Sequence, residues 1–197
     1  MAVAPHAVGH HGRVDAIAVL LAAGAGSRYG SPKALAHQGA WLRHAVAALV
    51  DGGCAEVLVV LGASADRARR LLPGGATVVV AADWAEGMSA SLRAGLRAAQ
   101  ETDAARAVLH LVDTPDVGAD VVARVLATGA PLARATYGGL GGHPVLLGRE
   151  HWAGVLAAST GDHGARGFLR GRGDVLGVEC GDLATGADID TPELDVP

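Results

Sequence analysis

The stretch Leu20-Leu21-Ala22-Ala23-Gly24-Ala25-Gly26-Ser27-Arg28-Tyr29-Gly30-Ser31-Pro32-Lys33 is the most informative part of this sequence. It starts at the end of an apolar run, Ala16–Leu21, and continues as a loop made largely of glycine and alanine. A loop without bulky side chains lets backbone N–H groups approach phosphate oxygens closely. Arg28 contributes a planar charged fork and Lys33 a mobile ammonium group. The stretch therefore predicts a site for a polyphosphate.

Two better-known phosphate-binding loops do not match this stretch. The dinucleotide fingerprint GxGxxG does not fit Gly24, Gly26 and Gly30, which are one residue too widely spaced, and a P-loop requires Gly-Lys-Ser/Thr where Ser31 and Pro32 follow Gly30. The remaining alternative is a solvated turn in a glycine-rich chain. Two cations at this spacing after a buried strand favour the phosphate site.

Outward from the loop, short β-branched runs alternate with longer amphipathic stretches, a pattern typical of βαβ units and a mostly parallel sheet. The predicted strands are Ala16–Leu21, Glu56–Leu61, Thr77–Ala81, Ala107–Val112, Leu132–Thr136, Pro144–Leu147 and Val175–Glu179. The predicted helices are Trp41–Val50, Ser64–Leu72, Met88–Gln100, Val117–Thr128 (with Asp116 as N-cap) and two short ones after the sixth strand. We predict one α/β domain, Rossmann-like and three-layered, over residues 15–197, preceded by a flexible leader at 1–14. Its ligands should bind at the carboxyl ends of the strands.

Two aspartates are candidate metal ligands. Asp113 directly follows an apolar strand and would lie at the ligand edge of the sheet, although an aspartate before Pro115 is also typical of a turn. Asp190, in Ala187-Asp188-Ile189-Asp190-Thr191-Pro192-Glu193-Leu194, has the pattern of a helix N-cap. Carboxylates completed by phosphate and water are the ligands that Mg²⁺ prefers. Both interpretations stay open on the residues alone.

Composition excludes several classes of protein. The formal net charge is −4 and no stretch concentrates Lys and Arg, so nucleic-acid binding is not indicated. The longest apolar run, Ala16–Ala23, is far too short to span a membrane. Cys54 and Cys180 lack the spacing of a zinc site or a disulfide framework. The first 14 residues have no signal-peptide pattern, and we expect a cytoplasmic protein that acts on small molecules.

Six segments together resemble the MobA-like nucleotidyltransferases, and among them the molybdenum cofactor cytidylyltransferases. Leu21–Lys33 is similar to the family signature LAAGxGxRxGxxK, and Asp113-Thr114-Pro115 to its Asp-x-Pro motif. The others are Glu86–Arg93 (GMSxSL), Gly142–Val145 with Gly161–Arg166 (GHPV and GDxGAR), and Ala187–Leu194 (DIDTPEDL). The resemblance spans Leu20 to Leu194 and implies a nucleotide-diphospho-sugar transferase-like fold.

The resemblance also implies roles for particular residues. The expected NTP-binding residues are Leu21, Ala22, Ala23, Gly24, Gly26, Ser27, Arg28, Lys33, Ser89 and Ser91. Arg28, Lys33 and Asp113 would be catalytic, Asp113 and Asp190 would hold Mg²⁺, and His143, Asp162 and Arg166 would contact the acceptor. The alternatives are that Ser89 and Ser91 are helix caps and Arg166 a surface charge. Ala23, in place of the glycine of guanylyl-specific relatives, favours CTP; Thr114 and Gly141 depart from the usual pattern.

The implied reaction is Mg²⁺-dependent transfer of CMP from CTP to a phosphorylated acceptor, molybdopterin, with release of pyrophosphate. A molybdoenzyme or its chaperone would then receive the product. Three alternatives stay open: transfer to another small phosphorylated acceptor, an NAD(P)H- or flavin-dependent reductase on the same fold, and a non-catalytic nucleotide-binding regulator.

Overall fold

The computed structural model describes residues 15–192, within which seven strands form one sheet of order β3-β2-β1-β4-β6-β5-β7. The strands are β1 (Ala16–Ala22), β2 (Val57–Leu61), β3 (Ala76–Val80), β4 (Arg106–Leu111), β5 (Leu132–Tyr137), β6 (Leu140–Gly148) and β7 (Leu176–Glu179). β6 is antiparallel to both of its neighbours, and the other adjacent pairs are parallel. This confirms the prediction of an α/β domain with a mostly parallel sheet.

Helices cover both faces of the sheet. They are α1 (Ala40–Asp51), α2 (Ala65–Arg69), α3 (Met88–Gln100), α4 (Ala119–Ala127), α5 (Arg149–Ala158) and α6 (Arg166–Leu169). Side chains alternate along a strand, so Leu20 packs in the core with α1, α2 and α4, and Val19 in the core with α3, α5 and α6. Because both faces are covered, every residue of β1 is buried, which explains its unbroken apolar run.

The hairpin between β5 and β6 is tighter than the sequence predicts. The predicted strands end at Thr136 and resume at Pro144, but β5 runs to Tyr137 and β6 already begins at Leu140. Gly138 and Gly139 form the turn, with φ of 58° and 80°. A two-residue turn with positive φ at both positions matches the twist of paired strands, and glycine adopts it without a steric penalty.

The predicted N-cap of α4 is wrong. The helix begins at Ala119 after Gly118, and no side chain caps it. Oδ2 of Asp116 instead accepts hydrogen bonds from the backbone N–H and hydroxyl of Thr185, both at 2.6 Å, and from the N–H of Gly186 at 3.2 Å. The carboxylate therefore anchors the C-terminal segment beside the loop that follows β4.

The predicted leader at 1–14 lies outside the described residues, as do Glu193 and Leu194 of the final motif. Between residues 15 and 192, no helix is long and apolar enough to cross a bilayer.

His110 is fully buried in β4, opposite Leu20 of β1, and neither of its ring nitrogens has a hydrogen-bond partner among residues 15–192. Burial lowers its pKa to about 3, assisted by the charges of His143 and His44. The folded protein therefore holds this ring neutral at a pH where the unfolded chain binds a proton. The buried ring consequently favours unfolding as the pH falls from about 6.5 towards 3.

We expect His110→Leu to lose less stability on acidification than the wild type, by about 2 kcal/mol between pH 7.5 and pH 5. The measurement is urea unfolding of both proteins at the two pH values. His163→Gln, which removes an exposed histidine, is the control and should follow the wild type. Identical pH dependence of the wild type and His110→Leu would contradict the prediction.

Candidate active site

A cavity of about 610 Å³ opens where the carboxyl ends of β1 and β4 meet the start of α3. Most of the residues predicted for nucleotide, metal and acceptor line it: Leu21, Ala22, Ala23, Gly24, Gly26, Ser27, Arg28, Lys33, Ser91, Asp113, Asp162, Arg166 and Asp190. Ser89 and His143 do not contribute to its lining. The sheet thus brings together side chains that are up to 169 positions apart in the sequence, Leu21 to Asp190.

The glycine-rich loop after β1 folds back on itself. The N–H of Gly30 donates to the carbonyl of Gly26 at 2.8 Å. Gly26 has φ of +64°, and a Cβ at this position would lie 1.9 Å from the carbonyl oxygen of Ser31. Only glycine fits there, because any side chain would meet backbone. The fold-back leaves Arg28 in solvent and brings Lys33, the only lysine of the sequence, into the cavity.

Lys33 bridges the two predicted metal ligands. Its ammonium lies 2.8 Å from Oδ2 of Asp113 and 2.8 Å from Oδ1 of Asp190, while Arg28 pairs with the other oxygen of Asp190 at 2.9 Å. Burial by itself lowers the pKa of Lys33, but the hydrogen bonds and charges of the two aspartates outweigh it, and the pKa is raised. The hydrogen bond from Lys33 lowers the pKa of Asp190. Lys33 and Asp190 are therefore both charged at neutral pH.

Asp188 is a third carboxylate of this site, which our sequence analysis did not select. The N–H of Ile189 donates to the carbonyl of Asp113 at 2.9 Å, so the C-terminal segment runs beside the loop after β4. Asp188 and Asp190 both line the cavity. Burial, and then the charges of Asp113 and Asp190, raise the pKa of Asp188. The alternation Asp-Ile-Asp was the available signal, since side chains two apart in an extended segment share a face.

Ser89, at the start of α3, does not line the cavity as we expected of a nucleotide-binding residue. Its hydroxyl is completely buried and accepts a hydrogen bond from the N–H of Gly164 at 3.1 Å, which ties α3 to the segment before α6. Ser91 lines the cavity. Oδ1 of Asp162 accepts the N–H of Met88 at 3.3 Å, so a carboxylate of the protein already faces the positive end of this helix. We therefore no longer assign Ser89 to the nucleotide.

His143 lies beside the cavity and does not line it. Its Nδ1 is 3.3 Å from the carbonyl oxygen of Leu109 in β4. Burial lowers the pKa of His143, and the nearby charges of Arg134 and Arg166 lower it further, against the opposing effects of the Leu109 carbonyl and Asp113. A neutral ring wedged against β4 indicates a positioning role. Arg166 is exposed and lines the cavity.

The donor set at the carboxylates fits a divalent cation. Oδ1 of Asp113 is buried and has no hydrogen-bond partner within residues 15–192, so this oxygen is available for a further ligand. Mg²⁺ is commonly held by one or two carboxylates together with phosphate oxygens and water. Nowhere in the described part of the chain do three or more His, Cys, Asp or Glu side chains form a ready-made metal site. Asp113 and Asp190 would therefore hold such an ion jointly with phosphate oxygens.

Comparisons with known proteins assign this chain to a family. The family model of the MobA-like NTP transferase domain matches residues 18–176 of this chain. The nicotine blue oxidoreductase of Paenarthrobacter nicotinovorans is 38% identical over 190 residues, which is 89% of this chain and 92% of that protein. The crystal structure of a Mycobacterium tuberculosis rv0371c homologue from Mycobacterium sp. strain JC1 superposes with a TM-score of 0.80 at 28% identity, covering 93% of this chain and 94% of that one.

A second mycobacterial structure bears on the metal. It is that of Rv0371C from Mycobacterium tuberculosis H37Rv in complex with manganese, with a TM-score of 0.70 and 27% identity over 84% of this chain and 88% of that one. The matched domain description covers more than half of the chain, and it includes the glycine-rich loop, Lys33 and Asp113. This chain belongs to the MobA-like NTP transferase family, and its fold is that of a nucleotidyltransferase.

Proposed function

We propose that this enzyme transfers CMP from CTP to a phosphorylated acceptor, molybdopterin, in a Mg²⁺-dependent reaction that releases pyrophosphate. The observation that carries the proposal is the Lys33 bridge between Asp113 and Asp190 at the mouth of the glycine-rich loop. One cavity therefore contains cations that can bind a triphosphate and carboxylates that can bind the metal ion accompanying it. If the ligand were a dinucleotide that binds without a metal ion, the two carboxylates would have no function in binding it.

In the proposed reaction an oxygen of the acceptor phosphate attacks the α-phosphorus of CTP. A new P–O bond forms there, the bond from the α-phosphorus to the bridging oxygen breaks, and pyrophosphate leaves with that electron pair. Arg28 and Lys33 neutralise the triphosphate and the charge that develops on the leaving group. The protein contributes alignment and electrostatics, because no covalent intermediate is needed.

Mg²⁺, when bound by Asp113 and Asp190, would supply further neutralisation of phosphate charge. The buried, unpartnered oxygen of Asp113 supports this assignment, as does a relative that was crystallised with manganese. CTP is favoured over GTP by Ala23, a residue of the cavity lining at which guanylyl-specific relatives carry glycine. A cytoplasmic location and a molybdoenzyme or its chaperone as recipient complete the proposal.

One observation favours a second candidate, a nicotinamide-dependent reductase. The 38% identical relative is named as an oxidoreductase, and the similarity covers 89% of this chain. The two candidates differ in what they need from Asp113. A nucleotidyltransferase needs it to hold a cation against phosphates, whereas hydride transfer from a nicotinamide needs no metal.

The test is calorimetric titration of ATP, CTP, GTP, UTP and NADPH, each with Mg²⁺ and again with EDTA. We expect CTP to bind most tightly, and its binding to weaken by about tenfold or more when Mg²⁺ is removed. Tightest binding of another NTP would keep the reaction class and change the base. Binding of NADPH alone, insensitive to EDTA, would overturn the transferase proposal and favour the reductase.

A further inference from the structure

Two arginines beside the cavity have no anionic partner among residues 15–192. Within residues 15–192, neither Arg134 of β5 nor Arg166 of α6 forms an ion pair or a side-chain hydrogen bond, and Nε of Arg134 is buried without a partner. The other cations around the cavity differ in this respect. Arg28 and Lys33 pair with the aspartates described above, and Arg93 pairs with Asp83 and Glu86.

Arg134 is held in place by the shape of β6. A Cβ on Gly141 would lie 1.9 Å from Cζ of Arg134 and 2.0 Å from one of its terminal nitrogens, so the guanidinium packs directly over Gly141. The absence of a side chain at Gly141 makes room for the guanidinium of Arg134, which comes from the neighbouring strand β5.

The positive charge of Arg166 acts on Arg134. Burial lowers the pKa of Arg134, and the charge of Arg166 lowers it further. Arg166 lines the cavity that also contains Asp113 and Lys33. Two like charges left together, one of them half-buried, are unfavourable in the protein alone, and an anion between them would relieve the repulsion.

We propose that Arg134 and Arg166 form the subsite that binds the phosphomonoester group of the acceptor and directs one of its oxygens towards the α-phosphorus. The inference rests on the proposed nucleotidyl transfer. A pair of guanidinium forks suits a phosphate dianion, because each can donate two parallel N–H bonds to its oxygens. Arg134 is then a specificity-determining residue: it selects acceptors by their phosphate and leaves the pterin or other scaffold to the rest of the cavity.

The experiment uses inorganic phosphate as the probe. It is titrated calorimetrically into the full-length protein, with and without saturating Mg²⁺ and α,β-methylene-CTP, which occupies the nucleotide site and cannot be cleaved there. The variants are Arg134→Met, Arg166→Met and Gly141→Ala, and the last of these displaces the guanidinium without removing a charge. Arg170→Met, which removes an exposed arginine at the end of the same short helix, is the matched control.

We expect phosphate binding to weaken about tenfold in Arg134→Met, Arg166→Met and Gly141→Ala, and to stay unchanged in Arg170→Met. The affinity for the CTP analogue should stay within about twofold throughout, which also shows that the variants are folded. Equal phosphate affinity in all proteins, or none in the wild type, would overturn the subsite while leaving the nucleotide function intact. Failure of the wild type to bind the analogue would overturn the proposed function, and the nucleotide-free titrations would still decide the subsite.

Discussion

Asp113→Asn is expected to lower the rate of pyrophosphate release about a thousandfold while the protein remains folded. Asparagine keeps the size of the side chain and removes its charge. The variant loses the ion pair with Lys33, and its neutral amide offers one oxygen in place of the two of the carboxylate, so its affinity for a cation falls. The measurement is a coupled pyrophosphate assay with CTP, Mg²⁺ and molybdopterin, together with Mn²⁺ binding followed by electron paramagnetic resonance in the presence of CTP.

Asp103→Asn is the matched control for this change. It removes the same charge from an exposed position in the loop before β4, away from the cavity. We expect wild-type turnover and Mn²⁺ binding from this protein. If Asp113→Asn retained turnover within about threefold of the wild type, Asp113 would have no role in catalysis. Loss of turnover with unchanged Mn²⁺ affinity would show that Asp113 acts through Lys33 alone.

Lys33→Met is expected to weaken CTP binding about 30-fold, since a hydrogen bond to a charged group contributes roughly 1.5–3 kcal/mol. Methionine preserves much of the length and the apolar stem of lysine and removes the ammonium. The side chain is only 13% exposed, so solvent cannot replace the lost charge efficiently. Calorimetric titration of CTP in the presence of Mg²⁺ measures the effect.

Two further variants separate the contribution of charge from that of shape. Lys33→Arg keeps the cation and should lose less affinity than Lys33→Met. Arg97→Met removes an exposed cation from α3 outside the cavity and should bind CTP as the wild type does. A dissociation constant for Lys33→Met within about twofold of the wild-type value would contradict the role of the loop in holding the triphosphate.

The sheet was predictable because its strands are buried on both faces. Ala16–Leu21 is an unbroken apolar run and Ala107–Val112 is interrupted only by His110, and such runs indicate parallel strands covered by helices. Long helices with one apolar face were equally clear, and the bounds of α3 were predicted without error. The hairpin was less predictable, because six consecutive turn-forming residues do not show which two of them make the turn.

Residues of the candidate site were predictable where the residue type and a position at the end of a strand are enough to identify them. Lys33 was a candidate from local sequence, Asp113 was chosen once the family resemblance favoured a ligand over a turn residue, and the structure places the two in contact. Asp188 and Arg134 were missed because their positions depend on which segments become neighbours. Asp188 reaches the site only through the docking of Ile189 against Asp113, and Arg134 reaches it across the hairpin, over a glycine. Ser89 was misassigned because its side chain turns from the cavity towards Gly164.

The Lys33 bridge has a consequence for the order in which ligands bind. A divalent cation held by Asp113 and Asp190 without a nucleotide would compete with the ammonium of Lys33 for the two carboxylates, and an ammonium displaced from them would lose its partners in a partly buried position. When a nucleotide arrives together with the cation, its phosphate oxygens give the ammonium a new partner. Nucleotide and cation should therefore bind with positive cooperativity, and each should raise the affinity for the other by the same factor. Lys33 thus partly neutralises the two carboxylates, and we expect it to release them when nucleotide and cation bind together.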